Sequence, residues 1–348
     1  MTEPEAASEA RLRQVFDLAV RAAIFPPIPT GAPLLVLLGG QPAAGKTRAQ
    51  AAIRAEHPEL VSITGDDLRR YHPGYRSLVA DDPLRMPAAT APTSAGLIRL
   101  ALDHAIEHRY PVLLEGTFRD PAMVTGTATR FAEAGYRVEV VTVATPAPVS
   151  RLAAEQRFLA AKNPLSARWT PPEAHETALA GSPEVVAALE ALPTIGRVRV
   201  YSRDRLLYDN DRTPDGTWRH EPAAAETLRA EQTRPLDAAE AVEWLARYLA
   251  AFDAARARPG YLGPATAPGY RRLQDDAARM IEVAADHPSA DATALADEQR
   301  RRQVTLDTLA PPPRQGILRS LRDRATRIRP FRPASTDPPR HDPPALGR

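Results

Sequence analysis

The stretch LLVLLGGQPAAGKTRAQAAI, residues 34–53, decides the fold. Its apolar opening, from Leu34 to Gly39, reads as a strand buried on both faces. A glycine-rich turn follows, and Lys46-Thr47 then opens an alanine-rich helical pattern. Gly40-Gln41-Pro42-Ala43-Ala44-Gly45-Lys46-Thr47 fits G-x-x-x-x-G-K-[ST] without a mismatch, in the strand–turn–helix setting this pattern requires. Gly40 and Gly45 permit backbone conformations that a Cβ would obstruct. The loop amides and the helix N-terminus can then converge on a β-phosphate. Lys46 is expected to bridge the β- and γ-phosphates, and the Thr47 hydroxyl to ligate Mg²⁺. The expected ligand is a nucleoside triphosphate, ATP or GTP.

Lysine usage sharpens this reading. Lys46 and Lys162 are the only lysines in the chain; every other cationic residue of this type is arginine. A planar guanidinium does not suit a tight phosphate loop, whereas a compact ammonium does.

Outward from the loop, short apolar runs alternate with helical stretches. The runs are LLVLLG, LVSITG, PVLLEG, YRVEVVTVA and GRVRVYS; helical patterns such as TSAGLIRLALDHAIEHR and PVSRLAAEQRFLAAK lie between them. This alternation predicts an α/β fold, a P-loop kinase-like parallel sheet of about five strands flanked by helices. The expected organisation is an N-terminal helix in 1–29, the kinase-like core in 30–210, a helical extension in 211–310, and a Pro/Arg-rich tail in 311–348. DRTPDGTWRHEPAAAET reads as a loop, and 236–257 and 268–309 as helical. The tail cannot build a core and is expected to be disordered.

In an open α/β sheet, ligands gather beyond the carboxyl ends of the strands. After LVSIT come Gly65-Asp66-Asp67-Leu68-Arg69, and after PVLL come Glu115-Gly116-Thr117-Phe118-Arg119-Asp120. A phosphotransferase needs a base near the acceptor hydroxyl and cations around the moving phosphoryl. Asp66 or Asp67 can be that base, and Glu115 can meet an acceptor or stand behind a metal. The competing reading of Asp66 is a helix cap, and Asp120-Pro121 likewise looks like a helix start. Arg157 and Arg168 follow in the chain; a solvated charged face is the plainer reading of either alone.

Composition bounds the alternatives. Apolar residues make up 43% of the chain, enough for a sizeable core, and the net charge of +2 does not imply nucleic acid as a partner. The absence of cysteine excludes disulfides and thiolate metal sites. No apolar run has the length of a membrane span, so a cytoplasmic location is expected.

Taken together, GGQPAAGKT, ITGDDLRRYHPGY, LLEGTFRDP, Arg157 and NPLSARWTPPEAHE resemble the zeta toxin family of bacterial toxin–antitoxin systems. The resemblance covers roughly residues 30–210. It implies a P-loop kinase acting on UDP-N-acetylglucosamine, at the 3′-hydroxyl of the amino sugar. By the same resemblance Lys46 and Thr47 form the phosphate-loop pair. Asp66, seven residues before the proline of His72-Pro73, is the base, with Asp67 second. Glu115, Thr117 and Arg119 match sugar-nucleotide contacts, and Arg157 and Arg168 match the arginines that meet the γ-phosphate. Ala43-Ala44 departs from the family, where a glycine and a small polar residue are common. A separate small helical antitoxin is the implied partner. Outside this reading stand a kinase for another hydroxyl (a dinucleotide, an antibiotic, a nucleic-acid end) and a nucleotide-gated scaffold ATPase.

Overall fold

The computed structural model describes residues 8–312, apart from 164 and 166. Its centre is a sheet in the order β2-β3-β1-β4-β5-β6, built from β1 (Leu34–Gly39), β2 (Val61–Thr64), β3 (Val112–Glu115), β4 (Arg137–Val143), β5 (Ile195–Tyr201) and β6 (Leu206–Asp211). The five expected strands are parallel to one another. The sixth, β6, runs antiparallel to β5 and was not expected. A short turn in which Ser202 N donates to Arg205 O folds it back as a hairpin. β1 is buried along its whole length, as its unbroken apolar sequence requires.

The helices are α1 (Glu9–Val15), α2 (Arg21–Ile24), α3 (Lys46–Glu56), α4 (Gly65–Leu68), α5 (Tyr75–Asp81), α6 (Met86–His108), α7 (Pro121–Glu133), α8 (Ala147–Leu159) and α9 (Pro172–Ala191), followed by α10 (Ala224–Thr233), α11 (Ala238–Arg256), α12 (Ala267–Ala284) and α13 (Ala292–Leu309). A π-helical turn, Phe16–Val20, joins α1 to α2. Three boundaries differ from the sequence reading. The stretch read as a loop after Asn210 ends in helix, because α10 starts at Ala224. The segment 268–309 is two helices, broken around His287-Pro288, since a proline cannot continue a helix. α9 was not read at all; Pro183 lies inside it and disguises its period. Most of the tail, and residues 1–7 of the predicted N-terminal segment, lie outside the described residues.

Local chemistry explains several ends. The Asp120 side chain accepts from Met123 N at 3.1 Å, so the Asp120-Pro121 pair does start a helix. Asp237 and Glu240 form a reciprocal capping box at the start of α11.

A small apolar cluster that includes Val36, Leu38, Ala44, Ala49 and Ile53 seats the phosphate loop and α3 on the sheet, and two larger clusters surround it. One packs helices onto the sheet through residues such as Leu35, Leu37, Ile63, Leu97, Phe131 and Val198. The other joins Leu152 and Phe158 of α8 to Trp244, Tyr248, Phe252, Tyr270 and Leu306 of the C-terminal helices. Trp244 Nε1 also donates to Pro148 O at 2.9 Å. The C-terminal helices therefore back the same helix that carries Arg157.

Candidate active site

Strand register brings the strand ends level. Leu38 of β1 and Thr64 of β2 both lie opposite Glu115 of β3, and Gly39 lies opposite Thr142 of β4. The phosphate loop, the Gly65-Asp66 turn and the Glu115-Gly116 turn thus leave the sheet side by side, at the edge where α/β proteins bind ligands.

The loop backbone is shaped for an anion. Gly40 has φ 132°, and a Cβ on it would come within 2.6 Å of Val143 O. A Cβ on Gly39 would meet the Phe118 ring at 2.1 Å. Phe118, at φ 47°, packs there from the E-G-T-F-R turn, so this turn and the phosphate loop are fitted to each other. The loop carbonyls are engaged: Ala43 O accepts from Arg203 at 2.7 Å, Ala44 O from Thr145 Oγ1 at 2.7 Å, and Gln41 O from Ala44 N at 3.2 Å. With these carbonyls engaged, the loop amides other than that of Ala44 are left to offer an anion. Ala43 holds φ 59°; its small side chain permits this left-handed turn at a strain of about 1 kcal/mol.

The Lys46 ammonium lies 3.5 Å from Gly40 O and 3.7 Å from Glu115 Oε1, an ion pair rather than a close hydrogen bond. Burial pushes its pKa down; Glu115 and Asp66 oppose this, and Arg157 adds to it. Those influences identify the neighbourhood: Lys46, Glu115, Asp66 and Arg157 share one electrostatic environment. Thr47 is exposed in the first turn of α3, and its hydroxyl makes no hydrogen bond among the described residues. A free hydroxyl beside a phosphate cradle fits a Mg²⁺ ligand.

Asp66 is not a cap. α4 starts after Thr64, and no side-chain capping bond forms there. Instead Asp66 receives Arg69 Nε at 3.3 Å and Arg168 at 3.3 Å, while Arg168 also reaches Asp67 at 3.4 Å. Arg69 is itself tied to Pro87 O at 2.6 Å and Thr90 Oγ1 at 2.7 Å. This makes it a fixed orienting partner for the carboxylate. Arg157 donates to Thr170 Oγ1 at 3.1 Å. It is solvent-accessible, yet protein crowding lowers its pKa, with Asp66 pulling the other way. Thr117 is half-buried and Arg119 exposed, and neither side chain is hydrogen-bonded among the described residues.

Sequence reasoning assigned no individual role to Arg69, Arg203 or Thr145. Arg69 stood in the quoted GDDLRR motif and could have been found from its spacing to Asp66. The others reach the loop from distant parts of the chain, and no local pattern signals them.

With this geometry in view, relatives can be compared. The Zeta toxin family profile matches residues 21–213. The chain belongs to the zeta toxin family. It is 28% identical over 212 residues to Toxin zeta of Enterococcus hirae, covering 60% of this chain and 72% of that protein. It is 31% identical over 182 residues to Toxin PezT of Streptococcus pneumoniae, covering 51% of this chain and 72% of the relative. A solved structure from work on the PezAT chromosomal toxin–antitoxin system of S. pneumoniae superposes with a TM-score of 0.57 at 23% identity, over 70% of this chain and 95% of that one. At that identity the likeness speaks for the shared kinase-like fold. This zeta toxin family member thus carries the P-loop, the acidic turns and both arginines on one sheet edge. Among the described residues, no helix is long and apolar enough to cross a membrane.

Proposed function

We propose that this zeta toxin family protein is a small-molecule kinase that transfers the γ-phosphoryl of ATP, with GTP as the alternative donor, to a nucleotide sugar. The acceptor is the 3′-hydroxyl of the amino sugar in UDP-N-acetylglucosamine. The observation that carries the reading is the convergence of Lys46, Glu115, Asp66, Asp67, Arg157 and Arg168 beside the phosphate loop. Asp66, oriented by Arg69, takes the proton of the acceptor hydroxyl. The acceptor oxygen then bonds to the γ-phosphorus as the bond to the β,γ-bridging oxygen breaks, and the nucleoside diphosphate leaves. Lys46, Arg157 and Arg168 neutralise the charge spread over the moving phosphoryl. Thr47 would hold Mg²⁺, which would supply charge neutralisation to the transferring phosphoryl group. Asp67, Glu115, Thr117 and Arg119 contact the acceptor; the Thr117 and Arg119 side chains, with no hydrogen bond among the described residues, have hydrogen-bonding capacity for it.

Phosphorylating a sugar nucleotide removes it from its biosynthetic use, which makes the enzyme toxic in the cytoplasm. A separate small antitoxin is the partner this implies, in keeping with the toxin–antitoxin system in which PezT was characterised. The test follows nucleoside diphosphate release with UDP-N-acetylglucosamine, a dinucleotide, an aminoglycoside or no acceptor. The reading requires release only with the nucleotide sugar. Release with another hydroxyl compound moves the acceptor, and equal release without any acceptor makes the protein a hydrolase.

A further inference from the structure

The phosphate loop is held by a side chain from α10, which lies beyond the span 21–213 that matches the family. The path begins at Gln41, fully buried in the loop. Its Nε2 donates to Thr145 O at 2.7 Å. That carbonyl can only accept, so it fixes which way round the amide sits and turns Oε1 to the opposite side. There the Gln232 Nε2 donates to it at 3.2 Å. Thr145 in turn donates from Oγ1 to Ala44 O at 2.7 Å. A buried path of hydrogen bonds thus runs from α10 through Gln41 and Thr145 to both halves of the loop.

The same Gln232 Nε2 also lies 3.0 Å from Ser182 Oγ and 3.3 Å from Leu179 O, both on α9, so its two N–H groups are shared among three acceptors. These bonds alone would make it a fastener between α10 and α9. The bond to Gln41 is different in kind: it satisfies an acceptor on the phosphate loop that no water can reach, since Gln41 is 0% and Gln232 6% exposed.

We infer that Gln232 is a positioning residue for nucleotide binding, setting the Gln41 carboxamide and through it the conformation of the phosphate loop. The inference rests on that loop being the nucleotide site. It also gives part of the C-terminal extension a role in the active site.

The test is calorimetric titration of the full chain with Mg²⁺ and the non-hydrolysable ATP analogue AMP-PNP. Wild type is compared with Gln232→Leu, Ser182→Ala, Gln41→Leu and the Gln41→Leu/Gln232→Leu pair, and melting temperatures are recorded for each. Gln232→Leu is expected to weaken binding roughly tenfold, the scale of leaving a buried acceptor unmade. Ser182→Ala, which loosens α9 but spares the Gln41 bond, is expected to stay within about twofold, the size of a minor perturbation at a distant site. The double variant is expected to bind no more weakly than Gln41→Leu alone, because both changes break one path. Where Gln232→Leu does not fold, Gln232→Glu keeps the shape and turns the donor into an acceptor facing Gln41 Oε1, and the same loss is expected. Wild-type affinity in the Gln232 variants, additive losses in the pair, or losses that track melting temperature in Ser182→Ala as well would overturn the inference. Absence of binding by wild type would remove the nucleotide reading itself, a separate outcome.

Discussion

Arg168 and Asp66, 102 residues apart in the chain, lie 3.3 Å from each other at the edge of the sheet, and the same guanidinium reaches Asp67 at 3.4 Å. Both partners are close to half exposed, 48% for Arg168 and 42% for Asp66. An exposed pair of this kind contributes little to stability. Its significance is placement: it puts a cation where a base and a phosphoryl group meet. Arg168→Ala is therefore expected to leave the melting temperature near wild type while lowering kcat on the order of 10²–10³-fold. A stability loss with an unchanged rate would assign Arg168 to structure instead.

The two aspartates should separate cleanly. Asp66 has the fixed partner Arg69, whereas the Asp67 carboxylate is held only by Arg168 among the described residues. Asp66→Asn is expected to cut transfer by about 10²–10⁴-fold, the range for loss of a general base, with nucleotide affinity retained. Asp67→Asn is expected to act mainly through KM for the acceptor. Steady-state kinetics with both substrates varied distinguishes the two, and the reverse pattern would exchange their roles.

What the sequence disclosed, and what it did not, follows from the range of the interactions. The phosphate loop was legible because its chemistry is local: glycines, Lys46 and Thr47 act within one turn. The five parallel strands were legible because burial on both faces writes continuous apolar runs. β6 was not, since LLYDND is half polar and pairs on one side only. α9 and the first turns of α6 were hidden by Pro183 and Pro92, which sit inside helices. Asp66 and Asp120 looked alike in sequence, as acids after apolar runs. The family resemblance already set Asp66 apart as the expected base and Asp120-Pro121 read as a helix start; in the structure Asp120 is bonded to a helix amide and Asp66 faces arginines. Gln232 and Arg203 act on the loop across about 160–190 residues, beyond the reach of any local pattern.

The helix that carries Arg157 is tied to the C-terminal extension by charge. Arg151 makes a two-pronged bond with Glu176, at 2.7 and 2.8 Å, and reaches both oxygens of the fully buried Asp276 at 3.0–3.1 Å. Removing Asp276 takes two charge-assisted hydrogen bonds from Arg151, which keeps Glu176 and is 18% exposed. Asp276→Ala is expected to cost about 1.5–3 kcal/mol in urea unfolding. A loss below about 1 kcal/mol would show that the contact is a surface pair in solution.

Glu155, on the same helix, gives a pH signature. Burial raises its pKa from the ordinary 4.5 to about 7, against the opposing bond from Tyr261 at 2.7 Å. A folded pKa above the unfolded one means the folded state binds the extra proton. That stability is fully present below about 4.5 and is lost as pH rises through about 7. Glu155→Gln, which keeps an acceptor for Tyr261 and cannot ionise, is expected to match wild type at acidic pH. At alkaline pH it should exceed wild type by at most about 3 kcal/mol. Urea unfolding at both pH values checks this; an equal difference at both would contradict the assignment.

The central claim is transfer to a sugar hydroxyl with Asp66 as base, and ³¹P NMR of the reaction mixture tests it most directly. The full chain is incubated with Mg²⁺-ATP and UDP-N-acetylglucosamine, beside Asp66→Asn and a control without the sugar. The account predicts a new phosphomonoester resonance that requires the sugar nucleotide and is lost in the variant. An unchanged sugar nucleotide with ATP consumed equally in all three samples would contradict it.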